Sequence, residues 1–177
     1  MAMQTEIRLT GSGGQGLILA GIILAEAALL KGDNAIQSQS YGPEARGGAS
    51  KAEVIISKED IDFPKVREAD IMLSLTQVAL DKYVDTLKED GILVIDSSIE
   101  VPSDLKAKKI VSIPMLNTAS EVIGKSMVAN IVALGAIQGL TDIVTKEYLE
   151  EAVLSRVPRG TEELNKRALQ EGYNLVK

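Results

Sequence analysis

Polar and apolar residues alternate over residues 6–10, Glu6-Ile7-Arg8-Leu9-Thr10, the two-residue repeat of a strand with one face turned inward. The alternation stops at Gly11-Ser12-Gly13-Gly14-Gln15-Gly16, a turn-forming run, and from Leu17 to Leu30 the chain is almost wholly apolar. That stretch is 14 residues long and contains Glu26, short of the roughly 20 residues needed to cross a bilayer, so it reads as a buried helix ending near Gly32. A second strand is expected over 34–38, then apolar runs predict strands at 51–57, 70–75, 92–96 and 110–113. Helical spacing is expected over 77–88, 126–139, 146–154 and 161–173. The last of these has Thr161 placed to cap it and Glu162 and Glu163 placed to complement the positive end of its dipole.

Strands and helices alternate without an internal repeat or a long linker. The expected fold is therefore one domain over residues 1–177, a doubly wound α/β structure with a mostly parallel sheet and helices on both faces, Rossmann-like and three-layered. The 51–57 strand is reached through a loop instead of a helix, which leaves it free to run antiparallel. The order of strands in the sheet is not readable from this pattern.

Composition then removes whole classes of function. With 25 acidic against 19 basic residues the formal charge is -6, and aromatic residues make up 3% with no Trp, so neither a phosphate-binding electrostatic footprint nor a base-stacking platform is present. Nucleic acid and membrane are not expected partners. The chain has no Cys and no His, which excludes a thiol nucleophile, a Ser-His-Asp triad, Cys/His zinc ligation and Cys ligation of an iron–sulfur cluster. Met1-Ala2-Met3-Gln4-Thr5-Glu6 lacks a basic segment followed by an apolar one, so no secretory signal is read and a cytoplasmic location is expected.

Gly11, Gly13 and Gly16 satisfy G-x-G-x-x-G between a strand and a helix, where backbone N–H groups can face an anion. A dinucleotide site would add an acid closing the second strand, and here Ser40 and Tyr41 follow it while Asp33 precedes it. Gly16 is followed by Leu17, not by the Lys-Ser/Thr of a nucleotide-phosphate loop, and Ser12 has no base to activate it. A less generic feature is the loop Tyr41-Gly42-Pro43-Glu44-Ala45-Arg46-Gly47-Gly48. It either presents Arg46 to a carboxylate, phosphate or neighbouring subunit, or pairs Arg46 locally and uses its glycines for a bend. The helices at 17–30 and 127–137 are apolar nearly all round, so each is covered either by other helices of this chain or by a partner. Asn130, the polar exception, either meets an internal hydrogen-bond need or faces a ligand.

Together, the Ile7-Arg8-Leu9-Thr10-Gly11-Ser12-Gly13-Gly14-Gln15-Gly16 opening, the Tyr41–Gly48 loop, the Asn130-Ile131-Val132-Ala133-Leu134-Gly135 helix and the Asn165, Ala168, Gly172 spacing resemble the gamma subunit family of 2-oxoacid:ferredoxin oxidoreductases. The resemblance implies a subunit of an enzyme that oxidatively decarboxylates a 2-oxoacid, transfers the acyl group to coenzyme A and reduces ferredoxin, with 2-oxoglutarate favoured and pyruvate or a branched-chain oxoacid next. It implies alpha- and beta-type partners, and a delta-type partner in some complexes, that hold thiamine diphosphate, Mg and iron–sulfur clusters. This chain would bind none of these firmly and would be inactive alone. Asp90-Gly91 lacks the pattern that holds a thiamine diphosphate metal. By the same resemblance Gly11, Gly13, Gly14, Gln15 and Gly16 form a turn and anion site. Tyr41, Glu44, Arg46, Gly47 and Gly48 form a loop that meets coenzyme A or a neighbouring subunit, and Asn130 is a further candidate for cofactor contact. A stand-alone dinucleotide-binding protein, a purely structural subunit and a homodimer in isolation stay open as alternatives.

Overall fold

A computed structural model describes residues 4–39 and 48–177. Six strands form one sheet: β1 (Gln4–Ser12), β2 (Asn34–Gln39), β3 (Ala49–Ser57), β4 (Ala69–Ser74), β5 (Leu87–Asp96) and β6 (Lys109–Ile113), in the order β2-β3-β1-β4-β5-β6. β1, β4, β5 and β6 are parallel neighbours. β3 runs against both β1 and β2, so it is the one antiparallel member of the sheet.

Alternation along the central strands separates two cores. Ile7 and Leu9 of β1, Val54 and Ile56 of β3, and Ile71 and Leu73 of β4 face a large core closed by helices α1 (Leu17–Lys31), α4 (Ala129–Thr141), α5 (Lys146–Arg156) and α6 (Glu162–Asn174). Met72, Leu93 and Ile95 face the other side, where α2 (Gln77–Tyr83) and connecting segments around Val66 and Ile99 form a thinner layer. α1 can be apolar nearly all round because it lies on β2 and β3 and carries α5 on top. Arg156 Nε donates to Glu26 Oε2 at 3.0 Å to fasten that pair, which also accounts for the one acid in the apolar stretch. α4 is covered by α6, so both helices are buried largely within this chain.

Three expectations are corrected. The helix expected over 77–88 ends at Tyr83, continues as a tight turn (Val84–Thr86), and Leu87 and Lys88 already belong to β5, paired with β4. Thr161 occupies the position before α6, but its hydroxyl donates to Pro158 O at 2.6 Å in place of capping the helix. The helix expected from residue 126 starts as a short turn (Ser126–Val128) before α4, and it is preceded by an unexpected one, α3 (Met115–Asn117), which widens into a π-type segment (Thr118–Ile123) ended by Gly124 at φ 85°.

Tyr173 of α6 links this packing to pH. Burial first, then Glu150 and Glu147, push its phenol up to about 12 from an ordinary value of 10.0. The unfolded chain ionises this group first, so its contribution to stability is complete below about pH 10 and is lost as pH rises through about 12. Denaturant titrations across that window should show stability falling with pH, with a shallower fall in Tyr173→Phe; equal slopes would refute the assignment.

Candidate functional site

The glycine run closes β1 and starts α1 in a turn that needs residues without side chains. Gly14 has φ 92° and Gly16 φ 74°, both in the left-handed region where a Cβ is strained. The turn is fixed by Gln15, whose Oε1 accepts from Ser12 N at 2.8 Å. Gly11 remains in the β1–β3 ladder opposite Ser50, beneath the Gln15 side chain, and Gly13 is half-buried in the turn.

Asn130 comes to the same turn from α4, 114 residues away. Its Nδ2 donates to Gly16 O at 3.1 Å, and its Oδ1 accepts from Ile131 N at 2.9 Å. Of the two readings open for this residue, the amide therefore serves an internal need: it ties the start of α1 to the start of α4. A Cβ at Gly16 would run into that same Nδ2. Gly16→Ala should thus cost at least about 2 kcal/mol, combining left-handed strain with the collision. Asn130→Ala alone should cost about 1–2 kcal/mol. In the double variant the collision is gone, so its loss should fall clearly below the sum; urea denaturation of the four proteins decides this, and strict additivity would sink the pairing.

Tyr41, Glu44, Arg46 and Gly47 lie outside the described residues. Gly48 is exposed immediately before Ala49, and Ala49 pairs with Ser12, so the segment re-enters the sheet beside the glycine turn.

Opposite the turn stands a second wall that sequence reasoning missed. Gly14 and Gln15 look across a cleft of about 730 Å³ at Ser97 and Ser98, which follow β5, and at Leu116 and Asn117 of α3. Asp96, the last residue of β5, holds that wall together: Oδ1 accepts from Ser98 N at 3.0 Å and Ser98 Oγ at 2.7 Å, and Oδ2 accepts from Leu116 N at 2.8 Å. The cleft thus sits at the carboxyl ends of parallel strands, where ligands of open α/β sheets bind. An Asp-Ser-Ser run at the end of an apolar strand was the available signal. The walls offer hydroxyls, amides and backbone N–H groups, and among the described residues no Lys or Arg lines them.

Among the described residues the donor set does not suit a resident metal or cluster. The chain has no Cys or His, and among the described residues no three carboxylates converge on a metal-sized space. A dinucleotide fits poorly as well. The strand next to β1 on the α1 side is the antiparallel β3, so the carboxyl end that would present a ribose-binding acid beside the turn is replaced by the amino end of a strand.

Residues 6–175 match the family described as pyruvate ferredoxin/flavodoxin oxidoreductase. The 2-oxoglutarate synthase subunit KorC of Methanocaldococcus jannaschii is 53% identical over 179 residues, an alignment covering 99% of this chain and 95% of the relative. Ketoisovalerate oxidoreductase subunit VorA of Methanothermobacter thermautotrophicus is 34% identical over 149 residues, covering 83% of this chain and 31% of that longer one. Among solved structures, the gamma subunit of a keto/oxoacid ferredoxin oxidoreductase from Geobacter sulfurreducens superposes with a TM-score of 0.89 at 49% identity, covering 99% of this chain and 97% of its own.

Proposed function

The chain belongs to the pyruvate ferredoxin/flavodoxin oxidoreductase family as a gamma-type subunit, and we propose that the enzyme it serves is a 2-oxoglutarate:ferredoxin oxidoreductase. The observation that carries this reading is the end-to-end match, at 53% identity, to a 2-oxoglutarate synthase subunit. Ketoisovalerate is the next substrate to consider, from the weaker match at 34%. In the reaction the 2-oxoacid loses CO2, its acyl carbon is oxidised and captured by coenzyme A as a thioester, and the electron pair passes to ferredoxin.

This chain contributes a gamma-type domain over residues 1–177 and no redox centre. Lacking Cys, it cannot ligate an iron–sulfur cluster, and its described carboxylates form no site for the metal of thiamine diphosphate. Those groups belong to alpha-, beta- and, where present, delta-type partners, through which ferredoxin is reached. No helix among the described residues is long and apolar enough to cross a membrane, and the complex is assigned to the cytoplasm. The glycine turn (Gly11, Gly13, Gly14, Gln15, Gly16) and the loop bearing Tyr41, Glu44, Arg46, Gly47 and Gly48 are the residues assigned to contact with coenzyme A or a neighbouring subunit. Arg46 is the natural partner for an anionic group, since the described residues of the cleft include no cation.

Co-expression with the alpha- and beta-type subunits, followed by size exclusion and a ferredoxin-reduction assay over a panel of 2-oxoacids with coenzyme A, tests the reading. Co-purification with highest activity on 2-oxoglutarate is expected. Full activity of the partners without this chain would overturn the assignment, and preference for a branched-chain oxoacid would overturn the choice of substrate. In the same complex Arg46→Ala should raise the KM for coenzyme A or weaken assembly; unchanged values for both would remove Arg46 from the contact.

A further inference from the structure

A groove of about 110 Å³ lies where α1, α4 and α6 meet. Its walls include Leu19 of α1, Ile131 of α4, Leu164 and Asn165 of α6, and Val157 and Pro158 of the link from α5 to α6. It shares only Met127 with the cleft at the glycine turn, and none of its described lining residues carries a charge. Ile131 belongs to the large core, and Leu19, Val157 and Leu164 pack against it, so the walls are held by the fold itself and the groove is preformed.

Asn165 gives this mostly apolar hollow a direction. The residue is 5% exposed. Its Nδ2 donates to Thr161 O at 2.9 Å and to Thr161 Oγ1 at 3.2 Å, which settles which way round the amide lies. Among the described residues nothing donates to its Oδ1. Thr161, whose hydroxyl is in the same wall, cannot turn to it without loss, because that hydroxyl donates to Pro158 O at 2.6 Å. Asn130, the other amide of the groove, directs its Nδ2 at Gly16 O. A nearly buried acceptor is thus unmatched among apolar side chains, and a ligand that brings a donor to it gains a hydrogen bond in addition to apolar contact.

Size and charge narrow the class of ligand. An apolar cavity of about 150 Å³ holds benzene, and this groove is somewhat smaller, so it takes a body of about six heavy atoms. With no Lys or Arg in the described walls, a carboxylate or phosphate would lose its hydration without gaining a counter-charge, and Oδ1 would repel it. We infer that the groove is a binding site for a small neutral molecule, or the end of a longer one, with an apolar body and one O–H or N–H directed at Asn165 Oδ1: an alcohol, a phenol or an amide, and not a 2-oxoacid or any other anion.

Phenol and fluorobenzene, alike in size and differing in the hydroxyl, are the probes, with benzoate as the anionic one. Each is titrated into the isotope-labelled full chain and followed by backbone amide shifts. Phenol should give saturable shifts centred on Ile131, Leu164 and Asn165, and benzoate none there. Asn165→Leu keeps the volume and removes the acceptor, so the ratio of phenol to fluorobenzene affinity should fall about fivefold, the worth of one neutral hydrogen bond. Leu164→Trp puts a large side chain into the groove and should abolish binding of both; it decides the matter if the urea midpoint shows Asn165→Leu to be unfolded. Absence of saturable phenol shifts at the groove, or phenol binding to Leu164→Trp as to wild type, would overturn the site. An unchanged ratio in folded Asn165→Leu, or benzoate binding as tightly as phenol, would overturn the class of ligand assigned to it.

Discussion

Gly172→Ala should destabilise the protein by about 2 kcal/mol, and Gly172→Val by more than about 3 kcal/mol, although both residues replace a glycine in the interior of a helix. The expectation comes from how α4 and α6 cross. A Cβ on Gly172 would strike the carbonyl oxygen of Val132 and lie 2.9 Å from both Ala136 N and Gly135 Cα. Every one of those atoms is backbone, so no rotamer change can make room and the helices would have to part. Ala gains about 1 kcal/mol over Gly in helix propensity, which offsets only part of an overpacking cost at the upper end of 1–3 kcal/mol. Gly139, on α4, supplies the contrast. A Cβ there is 2.6 Å from Val176 Cγ2, a side chain next to the C-terminus that can turn away. Gly139→Ala should therefore be neutral or slightly stabilising. Urea midpoints for the three variants separate the two cases; if Gly172→Ala proved as harmless as Gly139→Ala, the close crossing would be wrong.

That crossing also marks how far the sequence could be read. Its residues, Gly135 and Gly172, lie in segments whose helical spacing is plain, and the Asn165, Ala168, Gly172 spacing contributed to the family resemblance, yet nothing in it says that Gly172 meets Gly135. The strands were legible because their apolar runs are short and bounded by turn residues, and the antiparallel course of β3 was left open because it follows a loop. The helix at 77–88 was overextended for a definite reason. Leu87 continues the helical spacing, but pairing with Ala69 across a register shift takes it into β5. Gly91 makes that possible, because a Cβ there would be 2.7 Å from Leu87 Cδ1 and 2.9 Å from Lys88 O. At the site, the glycine turn was readable since left-handed backbone at Gly14 and Gly16 demands glycine. Its opposite wall was harder to read: the run from Asp96 marks a strand end, but its nearness to the turn, like that of Leu116 and Asn117, is set only by sheet order.

Arg8→Met should lower stability by about 3–5 kcal/mol, the cost of leaving a buried charge without its partner. The alternation at 6–10 makes Arg8 look like a residue of a solvated face, but the thin second layer covers it to 3% exposure. It stands directly opposite Glu53 in the β1–β3 register. Nη2 donates to Glu53 Oε2 at 2.8 Å and to Val66 O at 2.6 Å, Nε donates to the same carboxylate oxygen at 3.2 Å, and Nη1 donates to Thr86 Oγ1. Methionine fills much of the volume and satisfies none of these acceptors. Glu53 is itself buried, and its other oxygen lies 3.3 Å from Lys51 Nζ. The pair as a whole is a different matter, since removing both charges removes both desolvation costs. Arg8→Met/Glu53→Met should therefore recover most of the loss and come within about 1–2 kcal/mol of wild type, giving a large coupling energy in a double-mutant cycle. If the double variant lost as much as the two single variants added together, Arg8 would be acting through Val66 and Thr86 alone, anchoring the second layer to β1 without help from its ion pair.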